Sequence, residues 1–298
     1  MAMATTHEVD PNRYYVPHSS PWPIFGSVAL FVLAAGAALT LEQTTLGPYV
    51  LGLGFLLLFV LFFGWFRNVV DENQAGMYNA AVDRSFRMGM MWFIFSEVMF
   101  FAAFFGALFY ARQFSLPWLS GEGAKAVTNV LLWPGFEAAW PSNGPADLGP
   151  RDDGSFETIP AFGLPAFNTL LLLTSGVTIT IAHHALRAGK RAQLSLFLAA
   201  TWILGFIFLG VQIYEYHYAY TDLGLTLGTG IYGSTFFMLT GFHGFHVMVG
   251  AIMLLVIWLR VVKGHFSPER HFAFEATAWY WHFVDVVWLI LFVFVYWL

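Results

Sequence analysis

Seven apolar runs constrain this chain more than any other feature of it. They lie at 22–41, 47–66, 86–111, 166–186, 192–217, 231–262 and 272–297. Each is long enough to cross about 30 Å of hydrocarbon as a helix, which takes roughly 20 residues. The sixth is long enough to need tilt or to extend past the bilayer. Composition agrees: 58% of the 298 residues are hydrophobic and 10% charged, with a mean hydropathy of +0.65, whereas soluble domains carry about a quarter charged residues. The chain is therefore expected to be an all-α integral membrane protein with seven transmembrane helices. A net charge of −5 leaves no basic surface to displace counterions from phosphates, so nucleic acid is not an expected partner. The absence of cysteine removes disulfides, iron–sulfur clusters and thiolate metal sites. No basic stretch precedes an apolar core in the first twenty residues, so no cleavable signal peptide is expected.

Basic residues set the orientation. Arg67, Arg84 and Arg87 flank the second connection, Arg187, Lys190 and Arg191 the fourth, and Arg260, Lys263 and Arg270 the sixth, with Arg13 before the first run. The first and fifth connections and the C-terminus have none. The N-terminus is expected inside and the C-terminus outside. The third connection, 113–165, holds seven prolines and stretches such as "WPSNGPADLGPRDDGSF", which is turn chemistry and reads as a solvated outer loop. "GTGIYG" (228–233) reads as a loop before a helix, not a nucleotide motif.

The first two runs carry no ionisable residue in their interior, and the later five carry nearly all the buried polar groups. The expected organisation is an N-terminal segment with a two-helix hairpin (1–70), a polar inner connection (71–85), and a five-helix bundle (86–298) interrupted by the outer loop.

Ionisable groups at bilayer depth are costly, so each is a site candidate. In "FIFSEVMFF" (93–101), Glu97 has only Phe93, Ile94, Phe100 and Phe101 as its i±3 and i±4 neighbours, so a partner must come from elsewhere. The two readings are a carboxyl tying helices together and a proton-transfer group. In "TGFHGFHVMVG", His243 and His246 are three apart and read as neighbours on one face. They are either core histidines or, with His282, Glu275 or Glu97, ligands of a non-haem metal. In "FEATAWYWHFVDVVW", Glu275, Trp279, His282 and Asp285 share one stripe, with His282 available to Asp285 at i−3. The expectation is a buried polar network of Glu97, His243, His246, Glu275, His282 and Asp285 holding the bundle in register. His183 and His184 read as interfacial, and Glu215 and His217 as wet. No catalytic residue and no metal site is assigned.

Five stretches also carry a resemblance: "SPWPIFGS" (20–27), "FIFSEVMFF", "SGVTITIAHHAL" (175–186), "YGSTFFMLTGFHGFHVMVG" (232–250) and "FEATAWYWHFVDVVWL" (274–289). In order along the whole chain, they resemble subunit III of the haem–copper cytochrome c oxidases. The resemblance implies seven helices in a V, with the hairpin and the bundle separated by a lipid cleft. It implies no haem or copper in this chain, those cofactors lying in partner subunits, and it implies bound phospholipid. The implied partners are oxidase subunits I and II and membrane lipids, with cytochrome c as substrate of the complex. Glu97 matches the family's buried carboxylate, and Trp65, Glu72 and Arg260 match positions associated with lipid headgroups. The family commonly has two tryptophans where this chain has Trp65–Phe66. The implied role is a non-catalytic core subunit that stabilises subunit I, supports proton uptake and offers O₂ an apolar route. The implied location is a bacterial inner membrane rather than a mitochondrial one. Other classes stay open on the residues alone: subunit III of a related quinol or nitric oxide reductase complex, a membrane redox or metal enzyme using His243, His246 and His282, and a transporter using Glu97.

Overall fold

A computed structural model describes residues 14–17 and 19–298 of the chain. Arg13 and most of the stretch read for a signal peptide lie outside the described residues. Among the described residues there is no strand, and seven helices are long and apolar enough to cross a membrane. In chain order the helices are α1 (Trp22–Leu41), α2 (Gly47–Gln74), α3 (Ala80–Tyr110), the short α4 (Leu116–Leu119) and α5 (Ala126–Leu132), α6 (Leu164–Arg187), α7 (Arg191–Thr221), α8 (Gly230–Val262) and α9 (Phe272–Leu291). A π-helical turn, Ala111–Ser115, joins α3 to α4, and another, Phe292–Trp297, prolongs α9.

The polar connection expected at 71–85 is largely helical. α2 runs to Gln74 and α3 starts at Ala80, leaving residues 75–79 as the turn. Hydropathy marks where hydrocarbon ends, not where a helix ends. Past that point the helices continue as charged, water-facing turns, with Arg67 and Asp71 3.8 Å apart on α2 and Arg87 and Asp83 2.8 Å apart on α3. Asn79 starts α3 by accepting from the Ala81 and Val82 backbone N–H groups at 3.1 Å, which satisfies donors that a helix start leaves orphaned.

The chain divides into two compact units, the first ending at Met88 and the second spanning Gly89–Leu298. In the first, α1 and α2 pack as a hairpin through glycines. A Cβ on Gly54 would sit 2.6 Å from the Leu33 Cα, and one on Gly36 would enter the Leu51 backbone. Small residues of this kind let helix backbones approach in a medium where apolar side chains gain little from association. Away from that seam the hairpin shows Phe55, Phe59, Phe62, Phe63 and Phe66 on its surface.

In the second unit, α6, α7, α8 and α9 pack in sequence, and α9 closes back on α6. Trp281 is the centre of this ring and is fully buried. Its indole N–H donates to the Ser175 hydroxyl on α6 at 2.8 Å. The ring fills the space above Gly205 of α7 and Gly250 of α8, where a Cβ would come within 2.6 and 2.8 Å of it. α3 stands further off and reaches the ring through long side chains, with Phe93 stacked on Tyr280 at 6.2 Å and Phe100 edge-on to Phe242 at 5.0 Å. The α6–α7 and α8–α9 connections turn on Gly189 (φ +70°) and Gly264 (φ +76°). In each, the next N–H bonds back to the helix, Lys190 to the Ala185 carbonyl at 2.9 Å and His265 to the Arg260 carbonyl at 3.0 Å. That closure requires a left-handed residue, which glycine adopts without a Cβ penalty.

The third connection is more than a solvated loop. It contains α5, and it is pinned to the ends of α7 and α8. The Tyr232 N–H donates to the Ser142 carbonyl at 3.1 Å, and Arg151 donates to the Asp222 carbonyl at 2.8 Å. The Trp140 and Phe156 rings each lie 5.4 Å from Tyr232. Its prolines and glycines shape turns between aromatic anchors that composition alone does not distinguish from a free loop.

Trp281→Ala is expected to destabilise the bundle by about 3–5 kcal/mol, the usual range for a buried large-to-small change. Gly205→Val should also destabilise it by overpacking against the indole, by about 1–3 kcal/mol. Gly210→Val, whose Cβ meets nothing within 4 Å, should leave it unchanged. Thermal transitions of the detergent-solubilised protein check all three, and equal effects at positions 205 and 210 would remove Trp281 from its central role.

Candidate functional site

The partner that α3 cannot offer Glu97 comes from α8. The Glu97 Oε2 lies 2.8 Å from the His246 Nε2. The other ring nitrogen of His246, Nδ1, lies 2.6 Å from the Phe242 carbonyl. A carbonyl only accepts, so Nδ1 carries a hydrogen and donates. The Nε2–Oε2 contact then requires one further proton, held either as a carboxylic acid facing neutral imidazole or as imidazolium facing carboxylate. Aromatic rings enclose the pair: Phe101 and Phe100 have centroids 4.9 and 5.8 Å from the imidazole, and Tyr280 is stacked at 6.4 Å. The unit is thus a one-proton tie between α3 and α8, inside an apolar wall that leaves the Glu97 side chain 21% exposed.

Among the remaining members of the expected six-residue network, His282 and Asp285 lie together, while His243 and Glu275 have other partners. His243 is fully buried and donates Nε2–H to the Val284 carbonyl at 3.2 Å, with its ring 5.0 Å from Trp288. His282 lies 3.4 Å from the Thr180 hydroxyl and 3.7 Å from Asp285. Asp285 is accommodated because position 176 is glycine, where a Cβ would come within 2.5 Å of its Oδ2. Glu275 lies 3.3 Å from His271 Nε2 and 3.6 Å from His183 Nε2. His243 and His246 reach different helices, because i,i+3 positions differ by about 60° around an axis and a five-helix environment offers each its own neighbour. Among the described residues, the three donors that converge within 4.8 Å of one another are His183, His271 and Glu275, not His243, His246 and His282.

His183, read as interfacial, lies part-exposed near the end of α6, 3.6 Å from Glu275. One position was misread in the sequence. Glu215, expected to be wet, is fully buried and accepts from the Tyr296 hydroxyl at 2.6 Å and from the Gln212 amide at 3.2 Å. The signal for Glu215 was Gln212 one turn before it, and Tyr296 lies too far along the chain to be associated by spacing.

Of the residues matched to lipid headgroups, Trp65 is exposed on the hairpin, and Glu72 accepts from the Tyr78 hydroxyl at 2.6 Å. Burial, and then that hydrogen bond, hold the Tyr78 phenol proton well above its ordinary range. In the second unit the Arg260 guanidinium lies 4.6 Å over the Phe266 ring, and its Nε and Nη2 are buried without a hydrogen-bond acceptor.

The chain matches the family described as cytochrome c oxidase subunit III over residues 12–119 and 138–298. The stretch between them, 120–137, contains α5. Curated relatives named cytochrome c oxidase subunit 3 match nearly end to end. That of Struthio camelus is 39% identical over 287 residues, covering 96% of this chain and 97% of the relative. That of Carassius auratus is 40% identical over 289 residues, with the same coverages. That of Gadus morhua is 39% identical over 295 residues, covering 98% of each. On both grounds, this chain belongs to the cytochrome c oxidase subunit III family.

Proposed function

We propose that this chain is the non-catalytic subunit III of a proton-pumping cytochrome c oxidase in a bacterial inner membrane, bracing catalytic subunit I beside subunit II. In this reading haem and copper stay in the partner subunits, and cytochrome c is the substrate of the whole complex. The chain supports proton uptake, holds phospholipid, and offers O₂ an apolar route. The observation that carries the reading is the Glu97–His246 pair. It is a single-proton tie inside an aromatic wall, linking the helix that begins the second unit to the ring of four. Arg260 supports the lipid assignment, since two buried guanidinium N–H groups without acceptors suit a phosphate. Trp65 and Glu72 are assigned to headgroups on the family resemblance. The N-terminus is assigned to the inside and the C-terminus to the outside on the distribution of basic residues.

Glu97→Gln keeps a side chain able to donate to the His246 Nε2, and it is expected to leave assembly, turnover and proton pumping near the parent values. Glu97→Ala removes the partner of a buried imidazole, which costs about 1–3 kcal/mol, and this chain should then dissociate from the complex at lower temperature. A lowered proton-to-electron ratio in an intact Glu97→Gln complex would show that the pair relays protons and is more than a tie.

Orientation is testable because the chain has no cysteine of its own. A single cysteine at Ser155 should react with an impermeant maleimide added outside intact spheroplasts, and one at Ser267 only after the membrane is opened. The reverse pattern would invert the assignment.

A further inference from the structure

We propose that His183, His271 and Glu275 form a binding site for a divalent cation of the zinc class, at the end of the bundle where α6 finishes and α9 begins. The site is separate from the Glu97–His246 pair and does not depend on the proposed role of the chain.

The geometry comes from two elements. His271 directly precedes α9, and Glu275 follows it by one turn, so both point to one side of the helix start. His183 comes from the last turn of α6. The Glu275 Oε1 lies 3.3 Å from His271 Nε2 and 3.6 Å from His183 Nε2, and all three ligand atoms lie within 4.8 Å of one another. Zinc bonds of about 2.0–2.1 Å in a tetrahedron place donor atoms about 3.3–3.4 Å apart. The two separations from Glu275, 3.3 and 3.6 Å, are close to that spacing, and a three-ligand site leaves a fourth position for water. The His183 side chain is 29% exposed, which provides an entry path.

Ring orientation argues the same way. The His271 Nδ1 lies 3.2 Å from the Ser267 carbonyl, to which it can only donate. Its Nε2 is thereby turned toward the Glu275 carboxylate, 3.3 Å away. A backbone carbonyl fixing the far nitrogen is also the usual outer-shell support of a metal-binding histidine. The His183 and His271 Nε2 atoms are both buried and neither makes a hydrogen bond.

The donor set selects the ion. Two imidazoles and a carboxylate suit zinc. Calcium and magnesium favour sets made of oxygen alone, and a chain without cysteine offers no thiolate for copper(I). The imidazoles are held in place by packing, with the two rings edge to face at 5.5 Å and Phe274 5.6 Å behind His183. A bound ion joins the end of α6 to the start of α9.

The test uses the protein extracted in mild detergent with its accompanying chains, cleared with a chelator and dialysed against buffered micromolar zinc chloride. Metal analysis is expected to find one more zinc per chain in the parent protein than in His271→Ala or Glu275→Gln. The zinc absorption edge of that extra ion should show two imidazole nitrogens. His184→Ala, an exposed neighbour outside the cluster, should retain the ion. Each variant is compared at a thermal transition confirming that it is folded, and Glu275→Gln serves where the alanine variant fails to assemble. Equal zinc in the parent and in folded Glu275→Gln, or an extra zinc without histidine ligands, would overturn the proposal.

Discussion

The second unit depends on one indole. Trp281 is too large to pack between helices at ordinary spacing, and it fits because α7 and α8 offer glycine where it lies. In lipid, burying such a ring gains little from expelling water, so close van der Waals contact and the hydrogen bond to Ser175 supply the specificity. The same solution recurs one level along the bundle. Trp288 is fully buried, donates to the Thr169 hydroxyl at 2.9 Å, and meets Phe208 edge-on at 4.8 Å. Two tryptophans on α9, each tied to α6, set the helix register and so fix where the polar side chains arrive.

Those polar side chains work in small closed sets. Leaving a hydrogen-bonding group unsatisfied at low dielectric is expensive, and the bundle answers with a partner from another helix in most cases: His246 for Glu97, Tyr296 for Glu215, the Val284 carbonyl for His243. Among the described residues, these partners form separate sets. Tyr280 comes nearest to linking levels, since its hydroxyl donates to the His246 carbonyl at 3.3 Å while its ring covers the imidazole.

The sequence disclosed what depends on one helix at a time. Run length and hydropathy found all seven spans, and the apolar neighbours of Glu97 showed that its partner had to lie elsewhere. It disclosed less where the answer lies between helices. The stripe of Glu275, His282 and Asp285 suggested one network, and His282 and Asp285 do lie 3.7 Å apart, but Glu275 instead meets His183 of α6 and His271 before α9. Glu215 was judged by its nearness to a helix end, which says how far a residue lies along the axis but not whether it faces neighbours or water. Helix ends were misjudged for a related reason, because a charged helical turn outside the bilayer has no hydropathy signal.

Counting protons explains why imidazole and carboxylate recur together in a scaffold this apolar. A carboxylate alone needs its charge neutralised, and an imidazole alone leaves either a donor or an acceptor unmet. Facing one another with the far imidazole nitrogen held by a carbonyl, they need one positive entity between them and no water. Where the aromatic wall restricts access, as around His246, that entity is a proton, and the unit acts as a hydrogen bond between helices. Where the same motif gains a second imidazole at the end of the bundle, as at Glu275, the three donors suit an ion. One local rule, the Nδ1 hydrogen bond to a carbonyl of the preceding turn at His246 and His271 alike, thus gives two chemically different sites according to how many donors converge and whether solvent can deliver the cation.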